Sequence, residues 1–252
     1  MFDLKGKIAL VTGASSGLGV QFAKALAGQG ADLAILARRQ EKLDAVKKTI
    51  EGMGARCLAL KCDVLKNEDI KAAVAKAKEH YGRIDILVNN AGTARSKPAE
   101  SQSDEDWGAV IGTNLNSVYF VAREVGRVMI EQKYGKIVNI GSIHSSVAMA
   151  SSSLNAYCAS KGGVLMLTKA LATEWAKYGI TVNAIGPAYF PSEMTDAVMG
   201  NPNFLNTVKT YCPMGRPGRE GELDGALIYF ASDASSYTTG QLLSVDGGWT
   251  AI

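Results

Sequence analysis

Thr12-Gly13-Ala14-Ser15-Ser16-Gly17-Leu18-Gly19 links a short apolar run, Lys7 to Thr12, to a segment with helical period. Its glycines follow a Gly-x3-Gly-x-Gly spacing at a strand-to-helix turn. A dinucleotide makes three demands there: a tight turn, close backbone approach to a pyrophosphate, and helix N-terminal amides facing an anion. In isolation the same octapeptide serves equally as a glycine-rich connection. Its place after the first strand makes Gly13, Ser15, Ser16, Gly17, Leu18 and Gly19 candidates for a phosphate cradle.

Along the rest of the chain, apolar β-branched runs alternate with longer segments of helical period, the pattern of a parallel sheet covered by helices on both faces. The runs are Lys7 to Thr12, Asp32 to Ala37, Arg56 to Leu60, Ile84 to Asn89, Lys136 to Ile140, Thr181 to Ala184 and Leu242 to Val245. Helices are expected to start near Gly17, Gln40, Asn67, Asp104, Asn155 and Glu220. With right-handed crossovers this is one α/β domain over residues 1–252, a doubly wound, Rossmann-type sheet of seven parallel strands. From Gly186 to Arg219 no period is evident, and five of the six prolines fall there: Pro187, Pro191, Pro202, Pro213 and Pro217. This stretch is expected to be a mobile loop acting as a substrate lid.

The second strand ends Ile35-Leu36-Ala37-Arg38-Arg39. A carboxylate at that position would hold a ribose 2′-hydroxyl and repel a 2′-phosphate, whereas an arginine fork suits the phosphate. Ala37, Arg38 and Arg39 therefore favour NADP(H), with NAD(H) possible; two arginines solvating a helix start would read the same. Asp63, followed by Val64, ends the third strand and can accept from an adenine amino group or cap a turn.

The 252 residues, 47% hydrophobic and 20% charged, suit an ordinary globular protein. The net charge of +3 is spread without blocks, which argues against nucleic acid or an anionic membrane as partner. No signal-peptide pattern and no apolar run of about 18 residues occurs, so the chain is expected in the cytoplasm. Cys57, Cys62, Cys158 and Cys212 form no CxxC pair and with His80 and His144 make a poor metal set, so reduced thiols and no metal are expected.

Tyr157 and Lys161 lie four apart in a helical segment and share a face. The pair follows a strand ending Ile140-Gly141-Ser142, which puts Ser142 at the carboxyl edge of the sheet, where doubly wound folds bind ligands. A neighbouring ammonium stabilises a phenolate and lowers the tyrosine pKa toward working pH, as a general acid/base requires. Structural readings of the same residues stand beside this one: Asn114 as a buried amide tying backbone, Ser142 as a strand-end cap, Tyr157 as a core aromatic.

Taken together, Gly13/Gly17/Gly19, Asn89-Asn90-Ala91-Gly92, Asn114, Ser142, Tyr157-x3-Lys161 and Val245-Asp246-Gly247-Gly248 resemble the short-chain dehydrogenase/reductase family over essentially the whole chain. The resemblance implies an NAD(P)-dependent enzyme acting on a ketone or secondary alcohol. Tyr157 would protonate the substrate oxygen and Ser142 would hydrogen-bond it. Lys161 would lower the tyrosine pKa and hold the nicotinamide ribose, and Asn114 would anchor a water in a proton relay. Asn90, Ala91, Gly92, Pro187 and Ser192 would line the cofactor, together with Tyr157 and Lys161. Two departures stand out: Ala188 replaces the glycine usual after Pro187, and Ser192 stands where threonine is common. Many NADP-preferring members also carry a base where this chain has Ser15 and Ser16.

Specificity is expected from the lid and from the stretch after Ser142, with His144, Tyr189 and Phe190 as candidate substrate contacts. Residues 172–176 and 247–249 resemble sugar-acid dehydrogenases such as the gluconate 5-dehydrogenases; residues 216–240 resemble 3-oxoacyl-carrier-protein reductases, and hydroxysteroid dehydrogenases share the frame. Fold-level likeness does not choose among these substrates. Related enzymes are commonly tetramers, so a homo-oligomer is expected. A protein that senses NADP without turnover, and an NAD-dependent alcohol dehydrogenase of the same fold, are the alternatives; the intact Tyr157, Lys161, Ser142 and Asn114 argue against the sensor.

Overall fold

A computed structural model describes residues 1–149 and 153–251. Seven parallel strands form one sheet in the order β3-β2-β1-β4-β5-β6-β7: β1 Ile8–Thr12, β2 Asp32–Ala37, β3 Cys57–Lys61, β4 Ile86–Asn89, β5 Gly135–Ile140, β6 Ile180–Pro187 and β7 Leu242–Val245. The strand order reverses between β1 and β4, and the crevice that opens there at the carboxyl ends is where such sheets take ligands.

Burial on both faces explains the strands' composition. In β1, Ala9 and Val11 enter the core layer that holds Phe22 and Leu26 of α1 (Gly17–Gly28), whereas Leu10 enters the opposite layer with Val125 and Met129. The same alternation runs through Leu33/Ile35 and Ala34/Leu36 in β2, and through Ile86/Val88 and Leu87 in β4. A period of two with both faces apolar is what a strand sandwiched between helices requires. Each fully buried Leu or Ile contributes about 1.5–3 kcal/mol.

Helices α2 Gln40–Gly52 and α3 Asn67–Tyr81 start as expected. The helix beginning at Asp104 is capped by Ser103, whose side chain accepts from the Asp106 N–H at 3.2 Å. It runs as α4 (Asp104–Ile111), passes through one π-turn, Gly112–Asn116, and continues as α5 (Ser117–Gln132). The bulge sits on Asn114. Helix α6, Asn155–Trp175, carries Tyr157 and Lys161.

The stretch expected to lack regular structure departs from that expectation. It contains α7, Asp196–Met199, and α8, Pro202–Tyr211. Asn201 caps α8 through Asn203 N–H at 2.9 Å, and Pro202 occupies the first turn, where its missing N–H and fixed φ suit a helix. The prolines counted as breakers thus include a helix starter. Val208, one turn after Phe204, is buried and packs this helix onto a third core cluster with Ile143, Cys212 and Trp249. The last helix, α9, begins at Asp224 rather than near Glu220.

Candidate active site

The glycine loop leaves β1 through Thr12, a residue the sequence reading passed over. Its hydroxyl accepts from Asn90 N–H at 3.0 Å and Ala91 N–H at 3.1 Å, joining the ends of β1 and β4. The Asn90 side chain returns the tie, donating to Thr12 O at 3.0 Å and Gly13 O at 3.3 Å. Gly13 has φ +67°, a left-handed conformation, and a Cβ on Gly19 would collide with the Gly13 carbonyl oxygen. The loop is therefore tight against its own helix. No side chain caps the first turn of α1 and no carboxylate stands in it, so its field is open to an anion.

At the end of β2, Arg38 is exposed, whereas Arg39 turns onto the glycine loop. Its guanidinium donates to Ser15 Oγ at 3.2 Å and Ser16 Oγ at 2.8 Å, and pairs with Glu193, from the stretch after β6, at 2.8 Å. Lys42, from the first turn of α2, pairs with the same carboxylate at 2.6 Å. The sequence gives no sign that Lys42 or Glu193 belongs here, because both are exposed charges until the chain folds. Asp63 makes the turn, accepting from Leu65 N–H at 3.1 Å through one carboxylate oxygen. Val64 is half-buried beside it.

The chemical group sits at the ends of β5 and β6. Ser142 Oγ accepts from His144 N–H at 3.2 Å, which leaves its own proton for the Tyr157 phenol. Burial pushes that phenol up to about 12; the Ser142 hydrogen bond opposes the rise by stabilising the phenolate. Lys161 is 5% exposed, donates to Ile140 O at 2.7 Å, and lies 5.5 Å from the Tyr157 ring centroid. Burial pulls its ammonium down to about 8. In this conformation burial is the largest influence on the phenol, and the Lys161 ammonium is turned to a carbonyl.

Asn114 is fully buried in the π-turn. Its amide donates to Thr93 O at 2.9 Å and Ser160 Oγ at 3.1 Å and accepts from Thr93 N–H at 2.8 Å. With both amide protons spent, the side chain ties the segment after Gly92 to α6 and has no donor left for a relay water. Ser160 continues the chain to Tyr157 O at 2.7 Å and was not anticipated.

His144 is 5% exposed, its ring edge-on to Tyr157 with centroids 5.9 Å apart. Nδ1 lies 3.0 Å from Val147 O and must carry the proton. Burial lowers the imidazole pKa, and Nε2, left as an acceptor, has no partner among the described residues. Tyr189 packs on Phe204 at 4.7 Å and Trp249 at 5.4 Å, and its phenol lies 3.5 Å from Met149 Sδ. Phe190 is buried with its ring against Gly218 and lines the same cavity as Tyr189. Ser192 Oγ meets Thr195 Oγ1 at 3.0 Å, and Pro187 closes β6. Ala188, the departure from glycine, packs against the third core cluster without a positive φ. Residues 150–152 of the stretch after Ser142 lie outside the described residues.

Comparison with known proteins places this geometry. The sequence model of a family described as enoyl-(acyl carrier protein) reductase matches residues 13–250. A gluconate 5-dehydrogenase of Gluconobacter oxydans is 41% identical over 250 residues, 99% of this chain and 97% of the relative. A 2-dehydro-3-deoxy-D-gluconate 5-dehydrogenase of Formosa agariphila is 39% identical over 251 residues, 98% of this chain and 94% of that protein. The crystal structure of a gluconate 5-dehydrogenase from Burkholderia cenocepacia, in complex with NADP and tartrate, superposes with a TM-score of 0.96 at 39% identity, covering 100% of this chain and 98% of the other.

Proposed function

The chain belongs to the short-chain dehydrogenase/reductase family and is an oxidoreductase acting on CH–OH groups, and from that membership we propose an NADP-dependent enzyme for a polyhydroxylated sugar acid of the keto-gluconate class. The observation that carries the reading is the convergence of Ser142, Tyr157 and Lys161 at the carboxyl edge of the sheet, beside the crevice between β1 and β4. The residues of that crevice fit a dinucleotide: an uncapped α1, a glycine loop drawn tight by Thr12 and Asn90, and the cations Arg39 and Lys42 with Ser15 and Ser16 already gathered around an anion. Gly13 to Gly19 would hold its pyrophosphate, Asn90, Ala91, Gly92, Pro187 and Ser192 its nicotinamide half, and Asp63 and Val64 its adenine. Such a cofactor supplies the hydride that joins or leaves the substrate carbon.

In the reducing direction Tyr157 gives its proton to the substrate oxygen, and its raised pKa keeps that proton in place at neutral pH. Ser142 donates to the same oxygen. Lys161, one helical turn along α6, holds the ribose and takes part in reprotonating the phenol. Asn114 acts by position, fixing α6 through Ser160. The bare Nε2 of His144 favours a substrate with a hydroxyl to donate next to the reacting carbon, which a sugar acid has and a simple 3-oxoacyl thioester or keto-steroid lacks. The relatives that act on gluconates support the same choice. Exposed Trp107, Tyr119 and Met166 on α4, α5 and α6 support a homo-oligomer, which light scattering would test.

The test is a titration with NADPH and NADH followed by a panel of ketones: a keto-gluconate, a 3-oxoacyl thioester and a keto-steroid. Tight NADPH binding and its oxidation by the keto-gluconate are expected. Preference for NADH would refute the cofactor assignment, and binding without consumption by any ketone would leave a dinucleotide sensor.

A further inference from the structure

Glu193 belongs to the lid, yet its carboxylate reaches the far side of the cofactor crevice. Oε2 pairs with Arg39 at 2.8 Å and Oε1 with Lys42 at 2.6 Å, and the Ser16 hydroxyl completes the set. Arg39 first, then Lys42 and Ser16, hold this carboxyl down to about 2. The neighbouring Ser192 lies directly on the glycine loop, its Cβ 3.0 Å from where a Cβ on Gly17 would stand. One lid segment therefore covers the loop and neutralises the cations beside it. The ion pairs are close to half exposed, so solvent screens them and each is exchangeable. A phosphate monoester brings nearly two negative charges and three acceptor oxygens to the same donors.

We infer that Glu193 is an internal anion standing in for the cofactor 2′-phosphate: it latches the lid to Arg39, Lys42 and Ser16 until NADP(H) displaces it. The inference rests on the NADP reading. NAD(H), without that phosphate, leaves the latch in place. Glu193 thus sets the NADP/NAD preference from the lid, because the cations are free for the phosphate in only a fraction of molecules and the apparent affinity falls by that fraction. By reciprocity, filling the phosphate site loosens the lid.

The experiment compares wild type and Glu193→Gln, with matched melting temperatures as the folding control, using NADPH, NADH, adenosine 2′,5′-bisphosphate and AMP as ligands. In the variant, NADPH and the bisphosphate are expected to bind about three- to tenfold tighter, with NADH and AMP unchanged. Hydrogen exchange over 188–215 should speed up in wild type when the bisphosphate is added, not with AMP, and should already be fast in the variant. Unchanged or weaker NADPH binding in Glu193→Gln overturns the latch and makes Glu193 a clamp or a bystander. Should wild type prefer NADH, the NADP reading fails separately; the latch then survives only if the bisphosphate binds the variant and not wild type, and falls if it binds neither.

Discussion

The cofactor wall of the cleft, Thr12 to Gly19 with Asn90 behind it, is fixed by short bonds among strand ends, while the lid wall from Ala188 to Gly215 rests on aromatic contacts and on the exposed pairs of Glu193. In the first wall, the side chains of Thr12 and Asn90 each bond the other strand end's backbone, so little can move without breaking the tie between β1 and β4. In the second, Tyr189 meets Phe204 and Trp249 through ring contacts, and an aromatic pair contributes about 0.5–1.5 kcal/mol beyond its buried area. The contrast teaches that one half of the cleft is held by hydrogen bonds between strand ends and the other by ring contacts and exposed ion pairs.

The largest effect should come where the two walls meet. Tyr157→Phe keeps the ring and removes the proton, so kcat should fall by about 10²- to 10⁴-fold while NADPH affinity holds. Survival of turnover in steady-state assays would remove Tyr157 as acid/base. Next is pH. A phenol near 12 is protonated throughout the neutral range, so reduction should be flat with pH. Alcohol oxidation needs the phenolate, whose share grows about tenfold per pH unit below the pKa, so its rate should climb from pH 7 toward 10. A flat oxidation profile would point to another base.

Arg39→Ala removes the cation that faces the glycine loop, together with one partner of Glu193. Hydrogen bonds to a charged group are worth about 1.5–3 kcal/mol, so NADPH should weaken about ten- to a hundredfold and NADH little, with Arg38→Ala milder; fluorescence titration measures both. Equal losses for the two cofactors would detach Arg39 from the phosphate. The smallest effect belongs to the lid. Phe204→Ala should lower substrate kcat/KM by about two- to tenfold through KM and leave NADPH binding alone. A comparable loss of NADPH affinity would show that the two walls are one mechanical unit.

Much of this arrangement could be read from spacing. The run Asp32 to Ala37 agrees with its strand to the residue because burial on both faces forces an apolar composition; Leu242 to Val245 also agrees, although this edge strand is only partly covered. Tyr157 and Lys161 were legible as a pair because a helical period of four puts them on one face. Helix α8 was hidden by its own prolines, although the Asn201-Pro202 start is a helix signal once Val208 is known to be buried. Phe190 could not be told from Tyr189 by type; the ring of one packs against Gly218 and the ring of the other against Phe204 and Trp249.

By itself the sequence determined the parallel sheet, the place of the glycine loop and the shared helical face of Tyr157 and Lys161, since each follows from local periodicity or from a turn that few residues can make. The tertiary structure decided which arginine meets the loop, that Glu193 reaches Arg39 and Lys42 across some 150 residues of chain, that Asn114 spends its amide on Thr93 and Ser160, and that the Tyr157 phenol is raised rather than lowered. Those outcomes depend on burial and on pairings between distant segments, and neither the dielectric around a phenol nor the partner of an exposed charge is encoded in the residues beside it.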